Sequence, residues 1–158
     1  IIGLDLAANM LEVAREKLER NNFDDIEFIE GDAEHLPFDD DTFDKLVISY
    51  GLRNLGDFKK GIQEFYRVLK PNSKIGILEF MQPKSTFVSI VFKFYFNKVL
   101  PRIASLFSNS KAYRYLPESV ENFFTPQDLK ELLKEVGFKN ITHKNLSFGI
   151  TTIIYAEK

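Results

Sequence analysis

The sequence predicts a three-layer α/β sandwich built on a mostly parallel sheet and closed by an antiparallel hairpin. Short apolar runs alternate with amphipathic helical stretches along most of the chain, which is the signature of an α/β sheet. The last two strand-like runs have no helix-length spacer between them, so they must pair antiparallel. Polar residues gather where strands end, the usual place for a ligand crevice in such sheets.

The elements follow in order. Ile1-Ile2-Gly3-Leu4-Asp5 reads as a strand, and Met10, Leu11, Ala14 and Leu18 then recur at helical spacing, with Glu12, Arg15, Glu16 and Lys17 on the other side. That helix ends near Asn21-Asn22. Residues 26–30 form a short strand, 31–41 a loop dense in acidic and turn residues, and 43–50 the next strand. Phe58, Ile62, Phe65 and Leu69 mark a helix that Asp57 caps and Pro71 terminates, and residues 74–80 return as a strand. Thr125-Pro126-Gln127-Asp128 supplies a cap, a proline at the first helical position and an acid in the first turn, and Gly137 closes that helix. Residues 139–145 and 149–157 are the hairpin strands.

Between Lys84 and Phe124 the alternation stops. Phe87, Val88, Ile90, Val91, Phe92, Phe94, Tyr95, Phe96, Val99 and Leu100 leave Ser89, Lys93 and Asn97 as a narrow polar stripe, so a helix here must be largely covered. Lys93, Lys98, Pro101 and Arg102 break the run too often for a comfortable membrane span. A helical insertion packed on the core is one reading; a lid or wall for a greasy substrate that touches a membrane surface is the other. The chain is expected to be one domain over residues 1–158, with this lid insertion at about 84–124.

Composition narrows the chemistry. With 158 residues, 44% hydrophobic and 28% charged, the chain can bury one core, and a net charge of -2 lacks the clustered basic surface of nucleic-acid binders. There is no cysteine, and two separated histidines make a poor metal site, so a metal-free reaction is expected. No basic stretch precedes an apolar signal segment. The chain opens at Ile1, inside a strand, which leads us to expect the C-terminal part of a longer protein.

Tyr50-Gly51-Leu52-Arg53-Asn54 follows directly on the apolar run Leu46-Val47-Ile48-Ser49. An arginine and an asparagine beside a glycine at a strand end are poor packing material and suit a crevice mouth. Asp5, at the end of the first strand, is placed to take the hydroxyls of a ribose; the alternative is an ordinary helix-entry residue, and a nicotinamide dinucleotide would use the same acid. His35 reads as a solvated loop residue, because nothing nearby in sequence fixes its tautomer.

Three segments resemble class I S-adenosylmethionine-dependent methyltransferases: Gly31-Asp32-Ala33-Glu34-His35-Leu36-Pro37-Phe38, the Tyr50–Asn54 turn, and Tyr66-Arg67-Val68-Leu69-Lys70-Pro71. The Gly51-Leu52-Arg53-Asn54 stretch narrows the resemblance to the C-methyltransferases of ubiquinone and menaquinone biosynthesis. The resemblance implies a Rossmann-like fold that binds S-adenosyl-L-methionine through Asp5 at the ribose, Asp32 and Ala33 at the adenine, and Ser49 at the methionine portion. Asp32-Ala33 weighs against the nicotinamide alternative. Tyr50, Arg53 and Asn54 would face the methyl acceptor, a polyprenylated demethylquinol, and Tyr113 and Tyr115, with Phe92 and Phe96, would complete its wall. Ring methylation needs in-line positioning, a group that favours phenolate-like charge, and a proton acceptor such as water. Arginine holds its proton at neutral pH, so Arg53 is assigned to polarising a water or holding the ring oxygen, with Asn54 orienting it.

The family's glycine-rich turn after its first strand has no counterpart here, and the resemblance places that strand between those ending at Asp5 and Ser49. The first strand and its turn are therefore expected to be missing, and the isolated chain to be inactive. Asn72-Ser73 stands where many relatives have Gly-Gly, and Ala7 replaces a capping hydroxyl at a cost of about 1 kcal/mol. Alternatives to the quinol reading are a methyltransferase for another lipophilic acceptor, or a catalytically silent subunit that binds quinone or protein. A cytoplasmic location, peripheral contact with the inner membrane face and a homodimer complete the expectations.

Overall fold

The computed structural model of the chain describes residues 1–21, 23, 25–81, 94, 120 and 123–158. Strand β1 (Ile2–Asp5) and strand β2 (Glu27–Glu30) pair in parallel, from Ile2 opposite Glu27 to Asp5 opposite Glu30. Helix α1 (Ala8–Asn21) makes the crossover between them and packs on both. Its buried residue is Leu11. Met10 belongs by spacing to the same face, yet it is 55% exposed, because a two-stranded sheet offers α1 too narrow a surface to cover a full apolar stripe.

The second sheet has the order β3-β4-β6-β5. Strand β3 (Phe43–Ser49) runs parallel to β4 (Leu69–Phe80), while β6 (Thr151–Glu157) is antiparallel to both β4 and β5 (Lys139–Leu146). The antiparallel hairpin expected at the C-terminus is therefore present, with a short turn of 3-10 helix at Ser147–Gly149 between its strands. Helices α2 (Phe58–Val68) and α3 (Pro126–Val136) pack on each other and on this sheet. Ile62 and Phe65 of α2 meet Leu129 and Leu133 of α3 over Ile75, Ile77 and Ile154, all of them buried. Among the described residues the other face is open, with Val47 78% and Tyr155 51% exposed.

Local chemistry accounts for the boundaries. Asp57 Oδ1 accepts the Lys60 N–H at 3.0 Å and starts α2. Thr125 and Asp128 form a reciprocal capping box at α3, and Gly137 ends that helix at φ 123, a conformation that glycine adopts without strain. One boundary differs from the sequence expectation. Helix α2 stops at Val68, not at Pro71: Leu69 is already extended (φ -78, ψ 138), and it pairs with Phe43 in β4. The ladder then shifts register before Lys45 meets Lys74, and Asn72 sits in that irregular stretch at φ 65. Asparagine tolerates the left-handed region better than most residues, which explains how Asn72-Ser73 replaces two glycines.

No hydrogen-bonded ladder joins β1 to β3 among the described residues. The space bordered by Ile1, Ile2 and Leu4 of one sheet and Lys45, Leu46, Val47 and Ile48 of the other is an apolar slot of about 640 Å³. Phe92, Phe96, Tyr113 and Tyr115, and nearly all of the expected 84–124 insertion, lie outside the described residues. No helix among the described residues is long and apolar enough to cross a membrane.

Candidate active site

Asp5 ends β1, Gly31-Asp32 follows β2, and Ser49 ends β3, so the C-terminal ends of three strands lie at one edge of the fold. They meet in a cleft of about 470 Å³ that also takes in Ala33, Glu34, Gly51, Asn54 and Gly56. All four residues assigned to the cofactor line this cleft, as does Asn54. Among the described residues the larger apolar slot is lined by one charged side chain, Lys45, and by no convergent polar groups, so the cleft is the candidate site.

Asp5 Oδ1 accepts the Ala7 N–H at 2.9 Å, so the carboxylate supports the start of α1 in place of the missing hydroxyl cap while its side chain stays exposed. Asp32 Oδ1 accepts the Glu34 N–H at 2.8 Å, and Oδ2 lies 3.1 Å from His35 Nδ1. The Glu34 amide, and next the His35 hydrogen bond, hold the Asp32 carboxyl below its usual range. His35 Nε2 faces the Lys60 ammonium. An ammonium can only donate, which leaves Nε2 as acceptor and puts the ring hydrogen on Nδ1, directed at Asp32. The tautomer is thus set from two sides, contrary to the sequence expectation, because Lys60 arrives from α2.

Glu34 escaped the sequence reading as a functional residue. Its Oε1 accepts the backbone N–H groups of Gly56 at 2.6 Å and Asp57 at 3.1 Å, tying the loop after β2 to the segment after β3. Behind the same loop, Glu64 Oε1 and Oε2 take Arg67 Nε at 2.7 Å and Nη2 at 2.8 Å. Arg67 also donates to the carbonyls of Leu36 and Phe38, and Glu64 Oε2 accepts the Leu36 N–H at 2.8 Å. The Arg67 bond holds the Glu64 carboxyl below its usual range, and Glu64, then Asp40, strengthen the hold of Arg67 on its proton.

The acceptor-side residues form a knot. Tyr50 takes φ 55, its N–H reaches the Leu78 carbonyl at 2.8 Å, and its ring lies 4.6 Å from that of Phe80. Leu52, Arg53 and Asn54 make one turn of 3-10 helix. The Arg53 side chain is only 10% exposed, and its Nη1 donates to the Tyr50 carbonyl at 2.8 Å and to Glu79 Oε1 at 2.5 Å. Asn54 Nδ2 donates to the same Tyr50 carbonyl at 3.3 Å. Tyr50 and Arg53 therefore stand beside the cleft and not in its lining. Glu79 is the second residue missed by sequence reasoning; its signal was an acid inside the apolar run Ile75–Phe80 of β4.

Over residues 1–158 the chain matches the family model described as the ubiE/COQ5 methyltransferase family. It is 40% identical over 159 residues to the ubiquinone/menaquinone biosynthesis C-methyltransferase UbiE of Geotalea daltonii, covering 100% of this chain and 68% of that protein. It is 42% identical over 154 residues to the demethylmenaquinone methyltransferase of Thermus thermophilus, covering 97% of this chain and 69% of that protein. The chain thus spans about two thirds of the length of these curated relatives, and 62% of the Geobacter sulfurreducens UbiE. Among solved structures, an S-adenosylmethionine-dependent methyltransferase from Aquifex aeolicus superposes with a TM-score of 0.68 at 15% identity, covering 99% of this chain and 67% of that one. Phosphoethanolamine N-methyltransferase 2 of Haemonchus contortus, in complex with S-adenosyl-L-methionine, gives 0.70 at 16% identity over 99% of this chain and 43% of that one. At such identities the structural likeness speaks for the architecture, and the sequence relatives speak for the family.

Proposed function

The chain belongs to the ubiE/COQ5 methyltransferase family, and from that premise we propose that it transfers a methyl group from S-adenosyl-L-methionine to a ring carbon of a polyprenylated demethylquinol. One observation carries the reading: Asp5, Asp32, Ala33 and Ser49, from three separate strand ends, converge on one cleft beside the Tyr50–Asn54 turn. These residues fit the cofactor. Asp5 spends one carboxylate oxygen on Ala7 and keeps the other for a ribose hydroxyl. Asp32 is held ionised by its own loop, so it offers a fixed acceptor to an adenine amine, and Ser49 is exposed at the cleft wall.

The bound cofactor supplies an electrophilic sulfonium methyl. The protein's part is to orient and to manage charge. As a ring carbon takes the methyl, the methyl–sulfur bond breaks and the cofactor would leave as a neutral thioether, while a proton is lost from the ring oxygen or carbon to water. Arg53, anchored and desolvated, favours the phenolate-like oxygen; Asn54 bonds the same carbonyl as Arg53 and faces the cleft, which links the acceptor side to the cofactor side. The apolar sequence of residues 84–124, including Phe92, Phe96, Tyr113 and Tyr115, supports a wall for the prenyl chain.

Labelled S-adenosyl-L-methionine incubated with the active enzyme and a panel of short-chain demethylquinols tests this. Label should appear on a ring carbon of a benzoquinol or naphthoquinol. Transfer to a sterol or small aromatic and to none of the quinols would replace the acceptor class.

A further inference from the structure

We propose that Glu79 is a positioning residue for methyl transfer that acts through Arg53, an inference that rests on the reading of Arg53 as the group facing the acceptor oxygen. Glu79 is the next-to-last residue of β4 and is 0% exposed. It continues the inward row Ile75 and Ile77, where a further aliphatic residue would pack without any desolvation cost. A carboxylate in such a row is stable only with close partners, and it has them. Oε1 accepts Arg53 Nη1 at 2.5 Å and the Phe80 N–H at 2.9 Å, and Oε2 accepts the Arg53 N–H at 3.3 Å. One side chain thus holds both the backbone and the guanidinium of Arg53.

The consequence is geometric. Nη1 is committed to Glu79 and to the Tyr50 carbonyl, and the guanidinium lies 5.5 Å from the Phe80 ring centre, so the plane of the fork is fixed. A different donor is left over: among the described residues, Arg53 Nε is buried and has no hydrogen-bond acceptor. A buried donor without an acceptor is costly to keep, and an oxygen delivered by the acceptor would satisfy it. The ion pair carries no net charge, so Glu79 contributes by fixing where that donor stands, and an acceptor can enter as the neutral quinol.

The test compares Glu79→Gln, Glu79→Asp, Arg53→Ala and the double variant Arg53→Ala/Glu79→Gln in the active enzyme. Glu79→Gln keeps the shape but weakens the hold on Arg53, and kcat on a short-chain demethylquinol should fall about 10²-fold, the cost of a small misplacement at a reacting centre. Cofactor Kd by calorimetry should stay within about twofold, since a lost positioning contact acts on the chemical step and not on ground-state binding. The double variant should be no slower than Arg53→Ala, because the two residues act as a unit. Glu79→Asp retains the charge should Glu79→Gln fold poorly, and it should lower kcat with KM unchanged. Full kcat in both Glu79 variants, or losses that add in the double variant, would overturn the proposal. The Arg53 Nε–H resonance in nuclear magnetic resonance supplies a readout independent of turnover: it should exchange slowly in the wild type and fast in Glu79→Gln. If the wild type methylates no demethylquinol, the functional reading fails on its own, and an Nε–H signal indifferent to Glu79→Gln would overturn the anchoring as well.

Discussion

In the proposed mechanism Asp5 and Arg53 divide the labour of the site. Asp5 is exposed and half committed, so truncating it tests the proposed ribose contact with little loss of packing. Asp5→Ala should weaken S-adenosyl-L-methionine binding by about 1–3 kcal/mol, the scale of a lost hydrogen bond to a charged group, measured by calorimetry on the active enzyme. Unchanged affinity would take Asp5 out of the site. Arg53→Ala should depress turnover by about 10²–10³-fold with cofactor affinity nearly intact, and Arg53→Lys should recover only part, because a single ammonium cannot reach Glu79 and the Tyr50 carbonyl while leaving a third donor in place. That Asp5, Asp32 and Ser49 would share one cleft was legible in the sequence, from the strand end for Asp5 and from the family resemblance for all three. Glu34 and Glu79 were not, since their partners lie 22 and 26 residues away and nothing in a single strand or loop announces them.

At the level of elements, the capped helices were the most legible parts. The Thr125 capping box and the positive φ of Gly137 delimit α3 by local chemistry, and Thr125→Ala should cost about 1 kcal/mol in a denaturant titration. The end of α2 was misjudged at Pro71 because strand pairing with β3 pulls Leu69 into the sheet before the proline is reached. The loop after β2 depends on the contact between Glu64 and Arg67, which sets its pH dependence. Glu64 sits below its usual range in the fold and returns to it on unfolding. The unfolded chain therefore binds more protons in acid, so this contribution is fully present above the ordinary carboxylate range and is lost as pH falls through the depressed value. Melting temperature should drop with acidification over that window, and Glu64→Gln should flatten this part of the profile while lowering stability at neutral pH. A variant with an unaltered acid limb would show that other carboxylates govern it.

For the whole molecule, the decisive feature is that β1–β2 and β3–β4–β6–β5 are separate sheets facing a shared apolar slot of about 640 Å³. Among the described residues the slot-facing edges of β1 and β3 have no ladder partner, and such edges recruit another extended segment. Around them stand Ile1, Ile2 and Val47, at 85%, 41% and 78% exposure, so apolar area adds to the unpaired backbone as a drive for association. The 158-residue chain on its own should therefore self-associate, and light scattering across a dilution series should show mass rising with concentration. Val47→Lys places a charge on the β3 edge at an exposed position, where it should alter folding stability by less than about 0.5 kcal/mol while shifting the chain toward monomer. The same pair of edges bounds the cleft, through Asp5 at the end of β1 and Ser49 at the end of β3, so whatever fixes their spacing also fixes the cleft proposed for the cofactor. Weak cofactor binding should accompany self-association for that reason. A monodisperse monomer of this chain that binds S-adenosyl-L-methionine with micromolar affinity would show that the two sheets hold their spacing without any segment between them.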